Sequence, residues 1–159
     1  MSVTRNRSQP RTAVSRQSAK ERSLLRLVDA NANRTLEGLR VCEEMCRLSL
    51  NEATLFRSLR ALRHAVAGAV RRLPLSTIRL LQARQSRRDI GKRAPSSPVD
   101  SLEQLMVINF QRAKESLRTL EECARVIAPE HTAEFQALRF RTYEVERETL
   151  LRMEALRHR

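Results

Sequence analysis

The chain reads as all-α: two related α-hairpins packed as a pseudo-twofold four-helix bundle, with a long loop between them. Three observations predict this. Of its 159 residues 3% are aromatic and 3 are glycine, which starves sheets of their favoured residues while Leu, Ala, Arg and Glu feed helices. Apolar residues recur at helical spacing over long stretches. And "NANRTLEGLRVCEE" (Asn31 to Glu44) has a near-twin, "NFQRAKESLRTLEE" (Asn109 to Glu122), seventy-eight positions further on.

Residues 1–22 read as a disordered basic tail, because Arg5, Arg7, Arg11, Arg16 and Lys20 face one acid, Glu21, with no apolar period. A helical domain is expected over residues 23–159. Its first helix starts at Ser23 and carries Leu24, Leu27, Val28, Leu39, Cys42 and Cys46 along one stripe. Asn51 is the expected N-cap of a second helix, which Pro74 ends. The connection "PLSTIRLLQARQSRRDIGKRAPSSPVD" has room for a short helix at its centre, but not in "DIGKRAPSSP". A connection of this length inside a compact domain is usually functional or disordered. "DSLE" (Asp100 to Glu103) approaches a capping box and opens a third helix to about Ala128. Pro129 and Thr132 mark the turn into a fourth. "ALRH" (Ala61 to His64) and "ALRF" (Ala137 to Phe140) hold comparable places in the second and fourth helices, so the repeat spans both hairpins.

The net charge of +13 calls for an anionic partner: nucleic acid, an anionic membrane or phosphorylated small molecules. No apolar run approaches the ~18–20 residues of a membrane span, so no membrane partner is expected. Cys42, Cys46 and Cys123 form no CxxC pair and leave one unmatched, which suits inert buried thiols in a reduced cytoplasm.

The twin stretches pose the functional question. Continued to the next arginine, they agree at Asn31/Asn109, Arg34/Arg112, Glu37/Glu115, Leu39/Leu117, Arg40/Arg118, Glu43/Glu121, Glu44/Glu122 and Arg47/Arg125. All but one of these pairs are polar, whereas helices that share only a packing role would match at apolar positions. Opposite charges three or four residues apart can lace a solvated face, each pair contributing a few tenths of a kcal/mol. That reading suits Arg47 and Arg125. It does not suit Asn31: at 100° per residue, Leu39, Cys42, Met45 and Cys46 lie within about 80° of it. Asn109 likewise falls beside Ala113, Leu117, Leu120 and Cys123. A buried amide without partners costs about 1–3 kcal/mol. An interhelical hydrogen-bond network or a polar cavity between the twin helices answers that cost, and the cavity accounts for the arginines as well. Gly38 and Ser116 share a repeat position, where close approach of a helix or ligand explains a mid-helix glycine.

The chain has no GxxxxGK[ST] loop, no GxGxxG and no HExxH, and His64, His131 and His158 assemble no triad. Phosphate would be gripped by arginine forks, with Mg²⁺ on carboxylates. The candidate substrate and phosphate-binding residues are Asn31, Arg34, Arg40, Asn109, Arg112, Arg118 and Arg88. The candidate metal ligands are Glu37, Glu44, Asp89, Glu115 and Glu122. Within "SRRDIGKR" (Ser86 to Arg93) Asp89 would orient the metal, and the cations would meet phosphates.

Taken together and in order, "LVDANANRTLEGLRVCEEMCRL", "RRDIG", "VINFQRAKESLRTLEECARV" and "LRFRTYEVE" resemble the helical hydroxymethylpyrimidine-phosphate kinase domain that is often fused ahead of bacterial thiamine-phosphate synthase. The resemblance spans roughly Leu24 to Glu146. Two positions depart from it: the family usually has an aromatic residue where Met45 or Cys46 stands, and Thr where Lys92 follows the Asp-Ile-Gly turn. It implies an ATP-dependent, Mg²⁺-requiring phosphotransferase that converts 4-amino-5-hydroxymethyl-2-methylpyrimidine phosphate to its diphosphate. The implied partners are that phosphorylated small molecule and ATP; a homodimer and contact with a separate thiamine-phosphate synthase are left open. A basic helical RNA-binding module explains the charge and tail, but not the acids alternating with arginine, which repel phosphates. A helical Mg-dependent nucleotide pyrophosphohydrolase, using Glu43/Glu44 and Glu121/Glu122, is the other rival.

Overall fold

The computed structural model describes residues 13–93, 95 and 98–158, with side chains from residue 19 onward. Five α-helices follow one another: α1 (Ala13–Leu48), α2 (Ala53–Arg72), the short α3 (Thr77–Ala83), α4 (Leu102–Ile127) and α5 (Thr132–Arg157). Three 3₁₀ turns join them, at Ser86–Arg88, Ile90–Arg93 and Pro129–His131, and no strand occurs among the described residues.

The first helix starts ten residues earlier than its apolar period indicated, at Ala13 rather than Ser23. The reason is local: "AVSRQSAKER" holds good helix formers and no Gly or Pro, so nothing stops the helix where its apolar stripe runs out. The expected tail before residue 13 lies outside the described residues. Asn51 is not the N-cap of α2; Glu52 occupies that place. Asn51 instead takes a left-handed φ of 53°, which its short polar side chain tolerates, and Glu52 N–H donates back to Cys46 O at 2.9 Å to close the turn. Helix α4 opens with the expected kind of cap, moved one residue along from Asp100 and Glu103 to Ser101 and Gln104. Ser101 accepts from Gln104 N–H at 3.0 Å, and the Gln104 side chain accepts from Asp100 N–H at 2.8 Å.

The core lies where α1, α2, α4 and α5 meet, around Leu39, Cys42, Leu59, Leu62, Phe110, Leu117, Leu120 and Phe135. Pairing runs α1 with α2, α4 with α5, α1 with α4 and α2 with α5. At the α1–α4 crossing, Cys42 lies against Met106 O, and a Cβ placed on Gly38 would meet Asn109 O at 2.8 Å. Gly38 is therefore the close-approach glycine of a helix–helix contact. These two contacts also fix the register: α1 and α4 run antiparallel, and one further turn brings Arg34 level with Arg112 and Ala113.

Glu43 is wholly buried, and its carboxylate accepts from Arg63 Nε at 2.6 Å and from Arg40 at 3.1 Å. In the second hairpin Glu121 accepts from Arg139 Nε at 2.9 Å and from Arg118 at 2.7 Å. Arg63 and Arg139 are the arginines of the "ALRH" and "ALRF" stretches. Burial works against the charged form of Glu43, yet Arg63, with Arg40 and Arg60, outweighs it and holds the carboxyl below the usual range. These clamps give much of the twin charge pattern a packing role: each closes its own hairpin.

The three cysteines are buried and free. Burial pushes the Cys46 thiol up to about 11 and raises Cys42 and Cys123 as well, which makes all three poor nucleophiles.

Candidate functional site

At their crossing the twin helices approach too closely at Gly38 to leave room for a ligand there, since a Cβ would already meet Asn109 O at 2.8 Å. The expected cavity is displaced onto the flank of α1. Helix α2 ends at Arg72, while α1 reaches back more than two turns beyond that level. The connection fills the gap. Arg79 pairs with Glu21 and Arg84 with Asp29, so α3 runs beside α1 in the same direction and delivers Ser86 towards Arg34. Ala83 is the buried face of α3, and Leu75 and Leu80 pack against the core.

Between α1 and this segment lies a cleft of about 600 Å³, lined on the helix by Arg26, Leu27, Ala30, Asn31 and Arg34 and on the connection by Arg84, Ser86 and Asp89. A neighbouring cleft of about 460 Å³ shares Arg34, Ser86 and Asp89 and adds Arg87, Gly91 and Lys92. The walls are thus rich in cations. Arg84 donates from Nε and Nη2 to the two Asp29 oxygens, each at 2.7 Å, pinning the connection to the helix. That pairing raises the Arg84 guanidinium further above its ordinary range. Asp89 accepts from Gly91 N–H at 2.8 Å through Oδ1, which shapes the turn around Gly91.

Of the residues expected from sequence, Asn31, Arg34 and Asp89 come together here. Arg88 is exposed beside Arg87 on the same 3₁₀ turn. Asn31 and Asn109 are both buried, and each amide nitrogen donates to its own helix: Asn31 to Leu27 O and Asn109 to Leu105 O, both at 2.8 Å. Asn109 lies at the crossing, and Arg112 is exposed one turn on. Arg40 bridges Glu43 and Glu44, and Arg118 bridges Glu121 and Glu122. Glu37 and Glu115 are exposed, with Glu115 accepting from Gln111 at 2.7 Å. The expected carboxylates are scattered, and no group of three or more His, Cys, Asp or Glu among the described residues could hold a metal ion.

Asp29 and Arg84 were not foreseen from sequence. Asp29 lies about 160° from Asn31 around the helix, where periodicity predicts solvent. Only the return of α3 covers it. Leu27 was foreseen as core but is 48% exposed, on the floor of the cleft.

Residues 26–148 match the ThiD2 family. The chain belongs to the ThiD2 family. Its relatives are thiamine-phosphate synthases, enzymes of thiamine biosynthesis. One from Rhodopirellula baltica is 34% identical over 144 residues, covering 89% of this chain and 38% of that protein. Another, from Synechocystis sp., is 34% identical over 133 residues, 82% of this chain and 37% of the relative. A third, from Thermosynechococcus vestitus, is 35% identical over 127 residues, 77% and 34% respectively. This ThiD2 chain therefore spans well under half the length of those relatives. No solved structure gives a significant match. No helix among the described residues is long and apolar enough to cross a membrane.

Proposed function

We propose that the chain phosphorylates 4-amino-5-hydroxymethyl-2-methylpyrimidine phosphate to its diphosphate in the cytoplasm, with ATP as donor. The observation that carries this reading is the cation-walled cleft beside Arg34 in a chain of the ThiD2 family. Both substrates are polyanions, and a cleft flanked by Arg26, Arg34, Arg87 and Lys92 neutralises them. A phosphate oxygen of the pyrimidine ester attacks the γ-phosphorus of ATP, and the bond to the β-phosphate oxygen breaks to release ADP. The nucleophile is already anionic, so no general base is needed; positioning and charge stabilisation suffice. Arg34 and the cations of the connection supply both.

The residues fit Mg²⁺ held mainly by the nucleotide. Mg²⁺ commonly takes one or two carboxylates and completes its shell with phosphates and water. Asp89 fits that part, since it borders both clefts. The ion would draw charge from the phosphate oxygens. Asp29 does not fit, because Arg84 occupies both its oxygens. Glu44 and Glu122 are held by Arg40 and Arg118 at 2.6 and 2.5 Å, which favours a structural part for these four residues over the ligand contacts expected from sequence.

The two hairpins are, on this reading, duplicates about a pseudo-twofold axis through the α1–α4 crossing. The equal amide contacts of Asn31 and Asn109 and the matched clamps of Glu43 and Glu121 support this. The connection breaks the symmetry and gives a cleft to the first hairpin. The diphosphate would then be the substrate of a thiamine-phosphate synthase.

Incubation with Mg-ATP and the pyrimidine monophosphate tests the reaction. Diphosphate and ADP in equal amounts are expected. Pyrophosphate in place of ADP, or no product at all, overturns the assignment.

A further inference from the structure

We infer that Asn31 recognises a hydrogen-bond donor on the ligand rather than its phosphate, with Leu27 and Ala30 as the bed for a ring. The assignment rests on the functional reading above, in which the donor is the exocyclic amino group of the aminopyrimidine.

The argument begins with the orientation of the amide. A main-chain carbonyl only accepts, so the contact with Leu27 O at 2.8 Å must be made by Asn31 Nδ2. The nitrogen is committed to the helix, and the group left to meet a ligand is Oδ1, which only accepts. Among the described residues nothing donates to this oxygen, and it is not among the side-chain atoms sealed from water without a partner. A phosphate oxygen is also an acceptor and is repelled there. A ring amino group is matched.

Position supports the same choice. Leu27, Ala30, Asn31 and Arg34 are three or four residues apart along one face, and all line the cleft. In the pyrimidine phosphate the amino group and the phosphate-bearing methylene sit on adjacent ring carbons. Asn31 and Arg34 stand one turn apart, with Cβ atoms about 5–6 Å from each other, so amino group and phosphate can be met together. The exposed Leu27 side chain offers an apolar surface between polar walls, which suits a flat heterocycle. Asp29 cannot be the acceptor, since Arg84 fills both its oxygens. Asn33 also lines the cleft with its nitrogen turned to Asp29 O, but it is exposed, so water serves its oxygen when no ligand is present. Asn31 is 6% exposed. A nearly buried acceptor discriminates because a ligand without the donor strands it.

The test measures binding of the pyrimidine phosphate and of the analogue with hydrogen in place of the amino group, without ATP, by calorimetry or NMR titration. Wild type, Asn31→Thr and Asn33→Ala are compared. Threonine is chosen because its hydroxyl can donate to Leu27 O as Thr35 does to Asn31 O at 2.8 Å, keeping the helix intact while withdrawing the presented oxygen. Wild type and Asn33→Ala should prefer the amino compound by about tenfold or more, and Asn31→Thr should bind the two nearly equally. Equal binding by wild type, or a preference that survives in Asn31→Thr, overturns this assignment alone. Wild type that binds neither compound overturns the functional reading with it. Should Asn31→Thr fail to fold, equal binding of the two compounds by wild type would still overturn the assignment.

Discussion

Replacing Arg63 with methionine should destabilise the fold far more than losing a surface salt bridge would. Glu43 is wholly buried, and Arg63 is its main partner, at 2.6 Å from Nε and 3.3 Å from Nη2. Removing one side of a buried pair strands the other charge and costs about 3–5 kcal/mol. Arg40 at 3.1 Å and Arg60 at 3.8 Å remain as half-exposed partners and bring the expectation to the lower end, about 3 kcal/mol. For a chain of this size each kcal/mol lowers the melting temperature by about 2–4 °C, so Arg63→Met should melt roughly 6–12 °C below wild type. The assay is a thermal melt followed by circular dichroism at neutral pH. The companion variant Arg63→Met/Glu43→Met removes both charges and fills the space, and should recover most of the loss. If the single variant melts with wild type, or the double variant is no better than the single, the clamp is not a buried ion pair of consequence.

Four further outcomes are expected. Arg34→Lys keeps the charge but loses the planar fork, so KM for the pyrimidine phosphate or ATP should rise while the melting temperature holds; the reverse would make Arg34 structural. Asp29→Asn should loosen the connection and speed tryptic cleavage after Arg87, Arg88 or Arg93, whereas Mg-ATP and substrate together should slow it in wild type. Gly38→Ala should lower the melting temperature, because its Cβ would meet Asn109 O at 2.8 Å and overpacking costs about 1–3 kcal/mol against ~1 kcal/mol of helix propensity gained. Finally, Glu43 has a depressed folded pKa, so the stability it adds is present above its ordinary pKa near 4.5 and is lost as pH falls below that. The stability gap between wild type and Glu43→Gln should therefore narrow in acid, and a gap that stays constant from pH 6 to pH 3 would remove Glu43 from the acid-unfolding balance.

The helices were legible because apolar residues recur along them and because Ser101, Pro74 and Pro129 carry stop and start chemistry that depends only on neighbours. The turn at Asn51 was misread because one residue type serves both N-caps and left-handed positions, and the choice depends on how α1 ends. Within the repeat, Asn31 and Arg34 could be found by helical phase. Glu43 could not be separated from Glu44 in the same way. It sits about 120° from Asn31, at the edge of the apolar stripe, and the arrival of Arg63 from α2 decides its burial. The cleft was the least legible part. Its position depends on where α3 comes back along α1, which rests on Asp29 meeting Arg84 across 55 residues of chain.

The return of α3 along α1 has a consequence for how this chain can change. Helix α3 rests on α1 and the turns after it stay exposed, while the four long helices close on one another without them. One wall of the cleft is thus written in a bundle helix and the other in the connection, which the bundle does not need. Substitutions in this ribbon can retune or silence the cleft and still leave a soundly folded bundle. A circularly permuted or nicked chain with its break here should keep its helical content and lose its ligand. A stable, helical relative is therefore no guide to an active one unless its ribbon is inspected as well.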